Sequence, residues 1–162
     1  MTSQAEPTRL VRVRWQRCLL ADVERATGDD DYGVYQVYGQ HLVFGPGSLL
    51  YIGLAARQSF AQRMKQHRPW LDHENDVSVR LGRLHLDDYG DDDPTEGWSK
   101  WSALVRSVES LLIFWHSPPY NSSSIVRYDG PPLHVQNWGD RGALVPELTS
   151  HWEPIRPDDP TA

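Results

Sequence analysis

Alternating apolar positions in the first half of the chain predict a β-hairpin. Residues 33–38 are rich in valine and tyrosine, which favour a pleated surface, and residues 49–54 have the same character. Gly45-Pro46-Gly47, between these segments, is a turn signal. Because alternate residues of a strand share a face, the hairpin is expected to bring Tyr35 and Tyr51 to one surface.

A helix and a third strand are predicted after the hairpin. Ser59 is a suitable N-cap for a helix that runs to about His67, and Pro69 is expected to end this helix because proline disrupts a helix interior. Residues 77–86 alternate well enough for a strand. The acidic run 87–94 then predicts an exposed loop.

The strongest periodic signal in the chain predicts one long helix. Its apolar residues recur at intervals of three and four and form one stripe: Trp101, Leu104, Val105, Val108, Leu111, Leu112 and Trp115. The stripe predicts that this helix packs on the sheet. Pro118-Pro119 is expected to end the helix, and Glu109 lies at the edge of the stripe, where a carboxylate can reach a cleft.

The two ends of the chain have weaker patterns. Residues 10–15 alternate loosely and fit either a strand or the start of a helix, and residues 19–26 fit a short helix. The segment after Ser124 is rich in proline, glycine and tryptophan, without a clear period. We therefore expect an N-terminal extension over residues 1–31, a core over 32–124 and an irregular C-terminal extension over 125–162.

Length and composition predict one domain, because 162 residues can bury a real core but not two independent ones. Cys18 is the single cysteine, so neither an internal disulfide nor a zinc site of paired thiols is expected. The first ten residues have no apolar core of signal-peptide length, and no later stretch reaches the roughly 20 apolar residues of a membrane helix. These features predict a soluble, cytoplasmic protein.

The charge of the chain is unevenly distributed. The net charge of −6 argues against tight binding to a polyanion, because phosphate neutralisation calls for lysine and arginine. Residues 51–86, however, contain six basic residues and three acidic ones. The acidic residues are concentrated in 29–31, in 87–96 and in the C-terminal tail. This segregation leaves room for a local anion-binding face.

Several short motifs follow one another along the predicted elements: Gly33-Val34-Tyr35, Tyr51-Ile52-Gly53, Arg63, His67, Glu109 and Asn121. In this order and approximate spacing they resemble the GIY-YIG nuclease superfamily, over residues 32–124, and look closest to its small stand-alone restriction-type members. The resemblance implies an α/β (α+β) fold with a three-stranded, mainly antiparallel sheet flanked by helices, here with irregular N- and C-terminal extensions.

The resemblance also implies metal-assisted hydrolysis of a phosphodiester bond in DNA. A single Mg²⁺ or Mn²⁺ ion would be held by Glu109, which is chemically adequate because Mg²⁺ prefers few carboxylates together with water and phosphate oxygens. Tyr35 would be the general base for the attacking water, with Tyr51 orienting the nucleophile or the phosphate. An ordinary tyrosine pKa near 10 is too high for this task, so Tyr35 would need help from its neighbours.

Five further residues receive roles from the same resemblance or from their charge. Arg63 would clamp the scissile phosphate, since a guanidinium matches two oxygens, and His67 would share the proton of Tyr35. Asn121 would hold the metal cluster or a backbone segment in place. Lys65 and Arg68 are candidate substrate-binding residues.

Two departures from the family pattern affect these roles. Leu54 stands where many members have lysine or serine, so any help from that polar residue is absent. The step from Gly53 to Arg63 is about two residues longer than is common in the family, although Phe60 is displaced equally. Arg57 is therefore a fallback for Arg63, and it is also a candidate substrate-binding residue.

Two other functions fit the same residues. The domain could be a non-catalytic nucleic-acid-binding or assembly module, which the acidic balance favours. It could also be an enzyme of the same fold that acts on a small anionic substrate, because a fold does not dictate its chemistry. As a nuclease, its expected partner is double-stranded DNA, with a homodimer or a partner subunit supplying specificity.

Overall fold

The computed structural model describes residues 7–26, 31–86 and 94–151. Nine elements follow one another along these ranges: β1 (Arg9–Leu19), α1 (Leu20–Ala26), β2 (Gly33–His41), β3 (Gly45–Ala55), α2 (Phe60–Leu71), β4 (Ser78–His85), α3 (Pro94–His116), β5 (Leu133–Gly139) and β6 (Glu147–Thr149). The strands form one mixed sheet in the order β3-β2-β4-β1-β5-β6, curled into a half-barrel.

The expectation of a three-stranded sheet with irregular extensions is wrong. The predicted strands do form, and β3, β2 and β4 are adjacent and antiparallel. The sheet continues beyond them, because β4 also pairs with β1 over eight residue pairs, and β1 pairs in parallel with β5. Segments expected to be extensions therefore supply three of the six strands.

Strand β1 is in the sheet because its alternation is real. Val11, Val13 and Trp15 are all buried on one face, while Arg14 points to solvent from the other. The same pattern was open to a helical interpretation from sequence alone. In so short a segment, alternation alone does not distinguish a strand from a helix, and pairing with a neighbouring strand decides between them.

The β5 pattern was missed because one of its inward positions is polar. Leu133, Val135 and Asn137 alternate inward, and Asn137 interrupts the apolar series. Its side chain is nevertheless satisfied, since it accepts from Trp15 Nε1 at 2.9 Å and donates to the carbonyl of Val145 at 3.0 Å. A buried amide with both bonding groups paired is compatible with a core position.

Helices cover both faces of the sheet. Val34 and the stripe of α3 from Leu104 to Leu112 belong to the core on one face, together with Leu133 and Val135, whereas Trp115 at the end of the stripe is exposed. Tyr35 and Val37 belong to the core on the other face, which α1 and α2 cover. Adjacent residues of β2 therefore serve different cores, as strand geometry requires.

The helices depart from expectation at their ends. Helix α2 begins after its N-cap Ser59, as predicted, but it continues through Pro69 to Leu71. Helix α3 contains the predicted stripe and begins at Pro94, whereas residues 87–93 of the predicted acidic loop lie outside the described residues. Across the described ranges, none of the helices combines the length and apolar character needed to span a membrane.

A fragment limited to residues 32–124 tests the contribution of the outer strands. It lacks β1, β5 and β6, so β4 keeps β2 but loses its second antiparallel partner, β1, and α3 loses the apolar side chains of Val11, Val13 and Leu133. We expect no cooperative unfolding transition, because these losses leave the apolar stripe of α3 partly uncovered and one edge of β4 unpaired. Circular dichroism with thermal denaturation measures this, and a cooperative transition like that of the full chain would contradict it.

Candidate active site

Most of the predicted site residues come together beside β3, the strand at one edge of the sheet. Tyr35 and Tyr51 lie on the face that α2 covers, and α2 brings Arg63 and His67 to them. Glu109 lies on α3, which packs on the opposite face. Burial raises the pKa of both tyrosines, and the charge of Glu109 adds to that shift. The two helical layers therefore meet around this edge.

Tyr35 is at the centre of the group. Its side chain is fully buried, and its hydroxyl lies 2.6 Å from Nε2 of His67. The ring of Tyr51 lies 6.1 Å away, centroid to centroid. Burial and the nearby Tyr51 raise the pKa of Tyr35 above its ordinary value, whereas the charge and hydrogen bonding of Arg63 oppose this shift. Tyr35 is thus a protonated phenol whose ionised form is favoured only by its cationic neighbour and hydrogen-bond donors.

Two glycines of the motifs make room for close contacts. A Cβ on Gly53 would collide with the phenol of Tyr35 and with the ring of Tyr51. A Cβ on Gly33, which has a φ of 153°, would collide with the carbonyl oxygen of Gly82 in β4. Gly53 therefore allows the phenol of Tyr35 to lie directly over the edge strand.

His67 connects Tyr35 to a tryptophan one turn further along α2. Burial lowers the pKa of His67 to about 4, and the charge of Arg63 lowers it further. Nδ1 of His67 accepts from Nε1 of Trp70 at 3.1 Å. At neutral pH His67 is therefore an uncharged imidazole with both ring nitrogens in hydrogen bonds.

Arg63 faces the site with part of its hydrogen-bonding capacity unused. Its Nη1 donates to Gln66 at 2.9 Å, whereas Nε is buried and has no hydrogen-bond partner in the described part of the chain. A buried guanidinium N–H without a partner is costly, and an anionic oxygen would satisfy it.

Glu109 is a carboxyl group held between two arginines. Burial raises its pKa to about 7, and the charges of Arg106 and Arg63 oppose that shift. Half of these side chains would therefore be protonated near neutral pH in the absence of a cation. A divalent ion would favour the ionised form and relieve the burial penalty.

The donor set suits Mg²⁺ in one respect. A single carboxylate next to an open pocket leaves the remaining positions to water and phosphate oxygens, which is the coordination that Mg²⁺ prefers. Within residues 7–26, 31–86 and 94–151, no group of three or more His, Cys, Asp or Glu side chains is arranged to hold a metal ion.

An open pocket of about 1020 Å³ lies beside Glu109 and Arg63. Arg57, predicted as a substrate-binding residue, lines it, as do Arg106 and the exposed ring of Trp98. Three arginines against one carboxylate make this pocket a place for an anion. The local charge is opposite to that of the chain as a whole.

Asn121 binds the outer edge of β3. Its Oδ1 accepts from the N–H of Ile52 at 2.9 Å, and its Nδ2 donates to the carbonyl of Ile52 at 2.8 Å. The neighbouring N–H of Tyr120 donates to Leu50 at 3.0 Å. The segment after α3 therefore pairs with a strand edge that would otherwise carry unpaired backbone groups.

Two predicted substrate-binding residues lie away from the pocket. Lys65 is exposed and stands two residues from both Arg63 and His67, which turns it to the opposite side of α2. Arg68 pairs with Asp72 at 3.1 Å on the surface of α2. Neither residue lines the pocket that contains Glu109.

Arg106 and Trp70 were not singled out from the sequence. Arg106 stands three residues before Glu109, so helical spacing alone could have placed it on the same face. Trp70 stands three residues after His67, but the expected end of α2 at Pro69 left it outside the helix. Helical spacing would have placed both residues beside the site if the bounds of the two helices had been known.

Replacing Asn121 tests the pairing with the strand edge. Asn121→Ala leaves the N–H and C=O of Ile52 without side-chain partners, so we expect a loss of about 1–3 kcal/mol in the free energy of unfolding. Denaturant titration measures this loss. Asn121→Asp is the matched control. It keeps the acceptor for the N–H of Ile52 but has no donor for the carbonyl of Ile52, unless low pH protonates the carboxylate. Wild-type stability in the alanine variant would contradict the assignment.

Replacing Glu109 tests its burial through pH. The folded pKa of about 7 exceeds the ordinary value of 4.5, so the folded state holds the extra proton between these values and its stability falls as pH rises. Glu109→Gln removes the penalty, so without divalent cations it should raise the free energy of unfolding by about 1–3 kcal/mol at pH 8 and leave it unchanged near pH 4. Denaturant titrations at both pH values measure this. A difference that does not depend on pH would contradict it.

Comparisons with known proteins provide no further assignment. No protein-family model, no curated protein and no solved structure matches this chain. The residues and their geometry are therefore the basis for any statement about function.

Proposed function

We propose that this protein is a metal-dependent endonuclease that hydrolyses phosphodiester bonds in DNA. The observation that carries the proposal is the convergence on one buried phenol, Tyr35, of residues from β3, α2 and α3. These are the residue types and roles that the resemblance to the GIY-YIG superfamily implies. Residues that meet from separate elements around a perturbed group, beside an arginine-lined pocket, are typical of an active site.

Tyr35 is the proposed general base. In the hydrolysis, the oxygen of a water molecule bonds to phosphorus and one P–O bond of the backbone breaks. A proton of the water passes to the ionised Tyr35, and the leaving oxygen takes a proton from solvent. Because burial disfavours the phenolate, the charge of Arg63 and the hydrogen bond with His67 are needed to stabilise this ionised form. Tyr51, next to Tyr35, orients the water or the phosphate.

The arginines of the pocket bind the phosphate groups. The charge of Arg63 acts on Tyr35, and its buried Nε has no hydrogen-bond partner among the described residues, so Arg63 is the proposed clamp on the scissile phosphate. Arg57 and Arg106 line the same pocket and would neutralise adjacent phosphates. The local excess of positive charge offsets the net charge of −6 where the substrate would bind.

Glu109 is the proposed ligand of one Mg²⁺ or Mn²⁺ ion. When bound, such an ion supplies charge neutralisation at the phosphate and at the leaving oxygen. The carboxyl group itself must be ionised to bind the ion, and Arg63 and Arg106 favour that form against the effect of burial. Asn121 does not contact the ion in this proposal. It keeps β3 in position through its two hydrogen bonds to the backbone of Ile52.

The proposed substrate is double-stranded DNA, and the proposed compartment is the cytoplasm. The described pocket accommodates a phosphate and its neighbours but does not by itself provide an extended DNA-binding surface. We therefore propose that a second copy of the chain or a partner subunit supplies sequence specificity.

Cleavage of supercoiled plasmid in Mg²⁺ or Mn²⁺ tests the proposal. We expect metal-dependent nicking that falls by about 10²- to 10⁴-fold in Tyr35→Phe, the usual range for loss of a general base, and disappears in Glu109→Ala. Tyr128→Phe is a matched control, because it removes a hydroxyl bonded to Pro131 rather than to the site. Agarose gel electrophoresis measures the nicking. No metal-dependent cleavage over a range of salt concentrations would contradict the proposal.

The same variants separate the two alternative functions. An enzyme for small anionic substrates would hydrolyse a small phosphodiester such as bis(4-nitrophenyl) phosphate, lose that activity in Tyr35→Phe, and leave plasmid intact. A non-catalytic binding module would retain nucleic-acid binding in Glu109→Ala and cleave neither substrate. The three arginines of the pocket favour anion binding in all three cases.

A further inference from the structure

Trp70 determines which nitrogen of His67 carries a proton. The indole Nε1–H of Trp70 can only donate, and it points to Nδ1 of His67 at 3.1 Å. Nδ1 must therefore present its lone pair. A neutral imidazole with an unprotonated Nδ1 carries its single proton on Nε2.

Among the described residues, the partner of the proton on Nε2 is the hydroxyl oxygen of Tyr35. These two atoms are 2.6 Å apart, so His67 donates and Tyr35 accepts. A charged imidazolium would need a proton on Nδ1, which would face the N–H of Trp70. The hydrogen bond from Trp70 therefore disfavours protonation of His67, in addition to the effect of burial.

We propose that Trp70 is a positioning residue that fixes His67 as a hydrogen-bond donor to Tyr35, so that His67 stabilises the Tyr35 phenolate instead of removing its proton. This deepens the proposed nuclease function and rests on it for its catalytic part. It differs from the expectation that His67 shares the proton of Tyr35, which stays an untested prediction. The tautomer itself follows from the contacts of Trp70, His67 and Tyr35, whatever the reaction.

The assignment changes the path of the proton. With a donor on Nε2, the proton of Tyr35 leaves on the side of Tyr51, whose ring lies 6.1 Å away centroid to centroid, and passes to solvent. The O–H bond of Tyr35 breaks in that step, and the phenolate remains beside His67 and Arg63. The phenolate then takes the proton of the attacking water, which restores the neutral phenol.

Nitrogen NMR of the full-length protein tests the tautomer without any substrate. Long-range ¹H–¹⁵N correlation spectra distinguish protonated from unprotonated ring nitrogens, and the His67 signals are those missing in His67→Gln. We expect the wild type to show the Nε2–H form at pH 7. In Trp70→Phe, which keeps an aromatic ring against Tyr51 and Tyr120 but has no N–H, we expect the Nδ1–H form to become populated.

Trp138→Phe is the matched control, because Trp138 lies on β5 against Arg14 and His85, away from α2. It should leave the His67 signals unchanged. An Nδ1–H form in the wild type would overturn the proposal, and so would an unchanged Nε2–H form in Trp70→Phe.

Two substitutions of His67 test the catalytic half. A glutamine amide can donate to Tyr35 but cannot act as a base at neutral pH, whereas alanine can do neither. With kcat for plasmid nicking as the measure, we expect His67→Ala to lose about 10- to 100-fold, the loss expected for a hydrogen bond to a charged group. His67→Gln should recover most of that loss.

The possible outcomes are distinct. Equal loss in His67→Gln and His67→Ala would overturn the donor role, even if the tautomer is as expected. Absence of cleavage by the wild type would contradict the proposed nuclease function, while the NMR result would still decide whether Trp70 fixes the tautomer. Failure of one proposal is therefore distinguishable from failure of the other.

Discussion

The buried hydroxyl of Tyr35 imposes the constraint on which the site depends. A buried hydroxyl must be hydrogen-bonded, and here its bonding partners come from elements far apart in the chain. Helix α2 must approach closely enough to bring His67 within 2.6 Å, and Gly53 must lack a side chain so that the phenol can lie over β3. The position of the hydroxyl thus links the hairpin to α2, and the position of α2 brings Arg63 to the pocket.

A second constraint follows from the location of the site at a strand edge. An edge strand exposes backbone N–H and C=O groups, and Asn121 pairs with those of Ile52. The layers of α2 and α3 meet at the same edge. The charge of Glu109, on α3, therefore adds to the effect of burial in raising the pKa of Tyr35 and Tyr51. The edge is closed to other strands along this stretch and open to a ligand beside it.

The electrostatics of the site oppose its stability. Glu109 is buried enough to favour protonation, and Arg63 retains a buried N–H without a partner among the described residues. Both features are unfavourable in an isolated domain, and both would be relieved by a cation and an anionic oxygen bound together. Strain of this kind is expected where a protein is shaped for a ligand and not for maximal stability.

The sequence by itself determined the local elements and the order of the candidate residues. The hairpin, the start of α2, strand β4 and the stripe of α3 follow from side-chain periodicity and capping, which depend on near neighbours in the chain. Only the tertiary structure decided the rest. The polar Asn137 is acceptable in the core because Trp15 and Val145 supply its hydrogen bonds, and β5 joins the sheet by pairing in parallel with β1. Trp70 joined the site because packing carries α2 beyond Pro69, where local propensity predicted its end. Many weak contacts between distant residues can together outweigh the local conformational preference of a segment. The local sequence pattern does not show which distant residues will make those contacts.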